Sequence, residues 1–170
     1  MLVDLCEKTG CSILQLLPMN EIGATFCPYD GVSSFALEPS YISLDAVPGS
    51  EDKAIKEKID RIKKLFPAGR THVDYAIREE KRQVLWDIFI KECQSASQEF
   101  KKFVENNSYW LNDFALFKVL KGYHEGAPWY EWEDKYKNRN MSQLEIFRKE
   151  HAEEIAFQIW VQWQLYKQFR

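Results

Sequence analysis

Long apolar runs are missing from this 170-residue sequence: none approaches the ~20 residues that cross a bilayer. The opening stretch MLVDLCEKTG carries Asp4 and no basic n-region, so it is not expected to act as a signal peptide. An excess of either charge is missing too. Lys and Arg number 23 against 26 Asp and Glu, a net charge of −3, and the sequence lacks the basic footprint of a nucleic-acid binder. Lysines alternate with glutamates, as in EDKAIKEKIDRIKK, the pattern of a solvated helix face. The four cysteines, at 6, 11, 27 and 93, form no CxxC pair, and His72, His124 and His151 are scattered. This argues against a zinc site, implies no metal or cofactor, and suits reduced thiols in a cytoplasmic protein. Internal repeats and low-complexity segments are absent.

What is present is an aromatic surplus. Aromatics reach 15%, within 45% hydrophobic and 29% charged residues, a globular composition for one domain. Such rings fill a core, or line a carbohydrate site because sugars stack on flat apolar faces. For most of them the core is the default.

Leu2, Val3, Leu5 and Cys6 have helical spacing and stop at Gly10, with no capping residue ahead of them. CSILQLLP follows, a nearly continuous apolar run suited to a strand at 12–17 buried on both faces. After a loop comes the strand-like YISL at 41–44, its one evident pairing partner. Beyond it the pattern is helical: near 51–66 with Ser50 as cap and Ile55, Ile59, Ile62 and Phe66 inside, 75–94, 97–105, 109–121, and 142–169. The last helix opens on a Ser142/Glu145 capping box and carries Leu144, Phe147, His151, Ile155, Ile159, Trp163 and Tyr166 on one stripe. The expected fold class is mainly α: a helical insertion subdomain over 49–170, preceded at 1–48 by one strand unit of the α/β type. The chain is expected to begin and end inside helices, as a segment of an α/β barrel would.

Three stretches carry a family resemblance. QLLPMNEIGATFCPYDGVSSFALEPSYISLD looks like a strand ending in Leu-Pro, a Ser-Pro-Tyr loop and a Ser-x-Phe-Ala-x-x-Pro-x-x-Ile-x-Leu run. HVDYAIREEKRQVL looks like a Val-Asp-Tyr helix start. The stretches FVENNSYWLNDFALFKVLKGYHEGAPWYEWEDKYKNR and EEIAFQIWVQWQLYKQFR look like Trp-Leu-x-Asp-Tyr-Ala-Leu-Phe, Pro-Trp-x-x-Trp-Pro and Gln-Trp-x-x-x-x-Gln motifs. In this order the chain resembles the 4-α-glucanotransferases of glycoside hydrolase family 77. The resemblance implies a piece of a (β/α)8 TIM-barrel enzyme that transfers α-1,4-glucan segments between malto-oligosaccharides with retention. The family's catalytic carboxylates lie on later strands, so no catalytic residue falls in this chain, which is expected to be inactive alone and to have the rest of the parent polypeptide as partner. The sequence departs from the family at Cys27, at Asp30 and at GATF, where Gly-Tyr-Gly is usual, which puts a second glucan site there in doubt.

Tyr29 is the foremost substrate-binding candidate, a ring or hydroxyl for a glucose unit, with Pro28 holding its loop rigid. Asp30 either hydrogen-bonds a sugar hydroxyl or serves the turn through its own backbone. Tyr75 with Asp74 shapes an outer glucan groove, although Asp74 serves equally as a helix cap. Ser33 and Ser34 read as spacers. Trp129 and Trp132 resemble sugar platforms but are better read as loop staples, and His151 as a hydrogen-bonded core histidine. Glu79–Glu80 and Glu153–Glu154 diverge by about 100° on their helices and cannot act as a glycosidase pair. The alternative is a self-contained helical interaction module with no carbohydrate role, which leaves the Pro-Tyr loop unexplained. Either way, an unpartnered strand at 12–17 invites self-association.

Overall fold

The computed structural model describes residues 2–23, 25–92 and 97–169. Eight α-helices are found among them. They are α1 (Leu2–Thr9), α2 (Lys53–Leu65), α3 (Ile77–Glu92), α4 (Gln98–Asn106), α5 (Ser108–Tyr123), α6 (Asp134–Lys137), α7 (Met141–Glu150) and α8 (Ala152–Gln168). Short 3-10 turns occupy Pro39–Tyr41, Leu44–Ala46 and Trp129–Glu131. Among the described residues there is no strand, only two isolated antiparallel bridges, Asn20 with Leu37 and Ile22 with Gly31. No described helix is long and apolar enough to cross a membrane.

The helix stripes pack as their periodicity dictates. Ile55, Ile59 and Ile62 of α2 and Val84, Leu85, Ile88 and Phe89 of α3 bury together with Phe157, Trp160, Val161 and Leu165 of α8. Ile42, Leu44 and Val47, from the segment before α2, join the same core. A second cluster sets Trp110, Leu111 and Phe114 of α5 and Phe103 of α4 against Ile159, Trp163 and Tyr166 of α8. A third joins Leu116 and Leu120 of α5 to Trp132, Leu144 and Phe147. Because α5 and α8 each serve two clusters, they are apolar on more than one face, the mark of central helices.

Several expectations need correction. Residues 12–17 form no strand; they are irregular and exposed, with Ile13 84% accessible. A strand is held by its ladder, and no described segment offers one here. YISL is not a strand either. Pro39 opens a 3-10 turn there, and the Lys81 ammonium on α3 donates to the carbonyls of Ser40 (2.6 Å) and Ile42 (2.8 Å), satisfying groups a ladder would otherwise take. The first long helix is capped by Asp52, whose carboxylate accepts from the amides of Ala54 and Ile55, and not by Ser50. Asn140, not Ser142, caps α7 by accepting from the Gln143 amide. The expected single helix over 142–169 breaks at His151, which leaves helical geometry at ψ 32° and stacks on Phe147 at 4.2 Å. The break turns Leu144 and Phe147 toward the third cluster, where Ile155 of α8 also packs, while most of the α8 core residues serve the other two. His151 is therefore a half-exposed hinge residue, paired with Glu154 at 3.3 Å. Cys93 and the last residues of the helix expected over 75–94 lie outside the described residues.

Leu85→Ala, in the first core, is expected to lower unfolding free energy by about 2–5 kcal/mol. Ile13→Ala should change it by no more than about 0.5 kcal/mol in the isolated chain. Urea unfolding of the two variants checks the pair; a large loss from Ile13→Ala would put 12–17 back in the core.

Candidate substrate loop

Residues 19–38 fold back on themselves as an irregular hairpin. The amide of Glu21 donates to the Ala36 carbonyl (2.7 Å), that of Val32 to Glu21 (2.7 Å), that of Gly23 to Asp30 (3.2 Å), and that of Glu38 to Met19 (3.0 Å). At the tip the Asp30 amide donates to the Cys27 carbonyl at 2.9 Å, closing a four-residue turn with Pro28 second and Tyr29 third. Proline's fixed φ suits that second position. Tyr29 stands on the tip with 76% of its surface free. Asp30 spends one carboxylate oxygen inside the loop, accepting from the Thr25 hydroxyl at 2.8 Å. Ser33 is more than a spacer, because its hydroxyl accepts from the amides of Phe35 and Ala36, both at 3.1 Å.

Phe26, three residues before Tyr29, adopts a left-handed φ of 53°, a conformation that costs a non-glycine residue energy unless its surroundings hold it. What holds it is Tyr75, stacked on its ring at 4.1 Å, and the Arg78 guanidinium, 4.7 Å from the ring centre. The structure thus joins Tyr75 to the Tyr29 loop through Phe26. Asp74 turns the chain into α3, its carboxylate accepting from the Ala76 amide at 3.0 Å. Ala24, in the GATF stretch, lies outside the described residues.

The hairpin is anchored from below by charges that its sequence pattern does not single out. Glu38 is fully buried. Its carboxylate accepts from the Ile22 amide (3.1 Å) and the Ser40 amide (3.1 Å) and pairs with Arg78 of α3 at 3.1 Å. Glu21 is also buried and pairs with Lys118 of α5. Burial pushes the Glu21 carboxyl above the ordinary carboxylate range, against the pull of the Lys118 ammonium. The one signal in the sequence is a lone glutamate set in the otherwise apolar ALEP.

From α8 two glutamines grip the backbone. Gln162 is buried; its carbonyl accepts from the Leu37 amide (2.9 Å) and its amide donates to the Leu37 carbonyl (3.0 Å). Gln168 makes the same two bonds with Ser43, at 2.8 and 3.0 Å. Between them Tyr166 donates to the Phe35 carbonyl at 2.9 Å. The Gln-Trp-x-x-x-x-Gln spacing therefore has a physical meaning: α8 supplies, by side chains, the backbone pairing a neighbouring strand would give.

Elsewhere the candidates divide. Trp132 is buried and donates to the Ala127 carbonyl at 3.0 Å, a staple as expected, whereas Trp129 is exposed. Glu79 pairs with Arg82, and Glu80 with Arg61, on helix surfaces.

A family model described as 4-alpha-glucanotransferase matches residues 1–170. Curated relatives of that name align with nearly the whole chain: from Thermus thermophilus, 33% identical over 96% of this chain and 32% of the relative; from Chlamydia pneumoniae, 29% over 98% and 32%; and from Clostridium butyricum, 28% over 98% and 34%. The chain thus spans about a third of the length of the curated relatives it matches.

Gln162→Leu leaves the part-buried Leu37 amide and carbonyl without their partner and is expected to lose about 2–4 kcal/mol of stability. Gln168→Leu, at the exposed end of the helix, should lose about 1 kcal/mol or less, because water replaces its bonds. Equal losses in thermal or urea unfolding would refute the clamp.

Glu21 allows a test by pH. Below the ordinary carboxylate range it is protonated in both folded and unfolded chains. Above that range, up to its raised folded value, the folded chain keeps a proton the unfolded chain has released, so stability falls as pH rises. Glu21→Gln removes this dependence. As pH rises above the ordinary carboxylate range, wild-type stability measured against the variant should therefore decline; a constant or rising difference contradicts the assignment.

Proposed function

The chain belongs to the 4-alpha-glucanotransferase family, glycoside hydrolase family 77, and from that membership we propose that it forms one wall of the glucan cleft in an enzyme transferring α-1,4-linked segments between malto-oligosaccharides. The observation that carries the proposal is Tyr29: a ring 76% exposed, on a turn closed at Pro28, over a buried anchor of two ion pairs. An aromatic ring presented this way stacks on a sugar without a large ordering cost. Pro28 holds the turn, Asp30 offers its free carboxylate oxygen at the rim, and Tyr75 extends the surface through Phe26.

The proposed chemistry is double displacement with retention. A carboxylate attacks the anomeric carbon while a second protonates the departing glycosidic oxygen; that second group then takes the proton of the incoming sugar hydroxyl as the glycosyl–enzyme bond breaks. This needs carboxyl groups about 5 Å apart across the substrate, a role we assign to the remainder of a (β/α)8 barrel. The exposed residues 12–17 are proposed to pair with that barrel as a strand; where the barrel is lacking, they are the segment through which copies of the chain associate. A cytoplasmic setting completes the reading, in keeping with free Cys6, Cys11 and Cys27.

In the intact transferase, Tyr29→Ala is expected to lower kcat/KM for malto-oligosaccharides by roughly ten- to thirtyfold, the value of a contact of about 1–2 kcal/mol, with Tm unchanged. A large drop in Tm with unchanged kcat/KM would make Tyr29 a packing residue and remove the site assignment.

A further inference from the structure

The turn that carries Trp129 is built from its partner tryptophan. Trp132 is 5% exposed, stacks on His124 at 4.9 Å, packs on Phe117 at 5.4 Å and bonds the Ala127 carbonyl through its indole nitrogen. Its amide donates to the Trp129 carbonyl at 3.3 Å, and Pro128 fixes the entry to the turn. Trp129 is thereby held in place while 56% of its surface stays in solvent. An exposed tryptophan adds little to a core, yet here a buried one positions it.

Beneath Trp129 lies a cleft of about 330 Å³ whose walls are Phe117, Leu120, Trp132 and Tyr136 and whose rim holds Asp113 and Arg139. That is the volume of a small-ligand pocket, apolar with a few polar groups at its edge. Arg139 has a left-handed φ of 53°, at the end of α6 where glycine or asparagine is the usual choice. The strained position is occupied by a guanidinium that reaches Asp113 at 3.1 Å, and Arg148 reaches the same carboxylate at 3.4 Å.

The charges at the rim select the class of occupant. Asp113 is matched by Arg139 and Arg148, and Lys137, the other charged lining residue, by Asp134 at 3.0 Å. With Asp113 shared by two guanidiniums, the rim keeps one surplus positive charge and offers a cation no free carboxylate, while its donors and acceptors suit a neutral polyol. A guanidinium with five donors and a carboxylate with about four acceptor sites keep free capacity after pairing, suited to adjacent hydroxyls. A flat apolar ring beside such a pair matches the two sides of a pyranose, its C–H face and its hydroxyl edge.

We propose that this cleft is an accessory binding site for a neutral α-1,4-linked glucan, one sugar ring stacked on Trp129 and its hydroxyls on the Asp113–Arg139 pair. The site is separate from the Tyr29 loop. Asp113, Leu116, Phe117 and Leu120 form one stripe of α5, and Lys118, which anchors the loop, points roughly 150° away from the centre of that stripe. The proposal rests on the glucan reading above, and it lets the protein hold a long chain at a second point.

The test follows the six tryptophan indole N–H resonances of this chain, together with the ring resonances of Tyr29, by NMR during titration with maltoheptaose. The Trp129 resonance should shift and saturate with a Kd on the order of 1 mM. Asp113→Ala, an exposed position, should weaken that response by about fivefold, Trp129→Ala should remove the binding event, and Tyr29→Ala should leave the Trp129 response intact. If Trp129 stays silent while the Tyr29 ring responds, the accessory site is wrong and the proposed function stands. Silence of both up to about 10 mM overturns the site as well. An equal response to a β-1,4-linked glucan of the same length overturns the ligand class.

Discussion

The paired bonds between the Gln162 side chain and the Leu37 backbone are the contact on which the candidate site depends. A loop of irregular backbone crossing a helical core leaves amides and carbonyls that must be satisfied, since each buried group left unpaired costs about 1–3 kcal/mol. Here α8 meets the need at three points, through Gln162, Tyr166 and Gln168, spaced to match Leu37, Phe35 and Ser43. Fixed in this way, the segment delivers Glu38 to the interior, where Arg78 and two amides receive it.

Rigidity propagates outward from that point. Arg78 pairs with Glu38 and at the same time donates to the Ile22 carbonyl at 3.2 Å and lies over Phe26, so one side chain connects the buried carboxylate to the loop's strained residue. The Glu21–Lys118 pair ties the hairpin's other arm to α5. Buried ion pairs are seldom a gain in stability over apolar packing, because desolvation offsets their attraction. Their value here is geometric: they define one position for an exposed tip that makes few contacts of its own.

The same division of labour recurs at the other end of α5. Trp132 is buried so that Trp129 stands exposed, just as Glu38 is buried so that Tyr29 does. In both places an exposed aromatic ring follows a proline, and a buried residue nearby in sequence is held by partners from other elements. Two such platforms on one helical scaffold suit a long, repetitive ligand better than a compact one.

By itself the sequence determined most of the helices and the turn. Ile55, Ile59 and Ile62 lie on one face by spacing alone, and Pro28 sets the Cys27–Asp30 turn through its own φ; both are short-range consequences of local chemistry. The resemblance, and with it the family, was equally legible in the ordered motifs. Tertiary structure decided what depends on distant partners. Residues 12–17 have the composition of a buried strand but remain irregular and exposed, since a ladder requires a second segment that composition cannot provide. Glu38 shows only its apolar neighbours in the sequence, and the partner that receives it inside, Arg78, stands 40 positions later. PWYEW contains two tryptophans with the same local chemistry, and only the packing of Phe117 and His124 makes one a staple and leaves the other free.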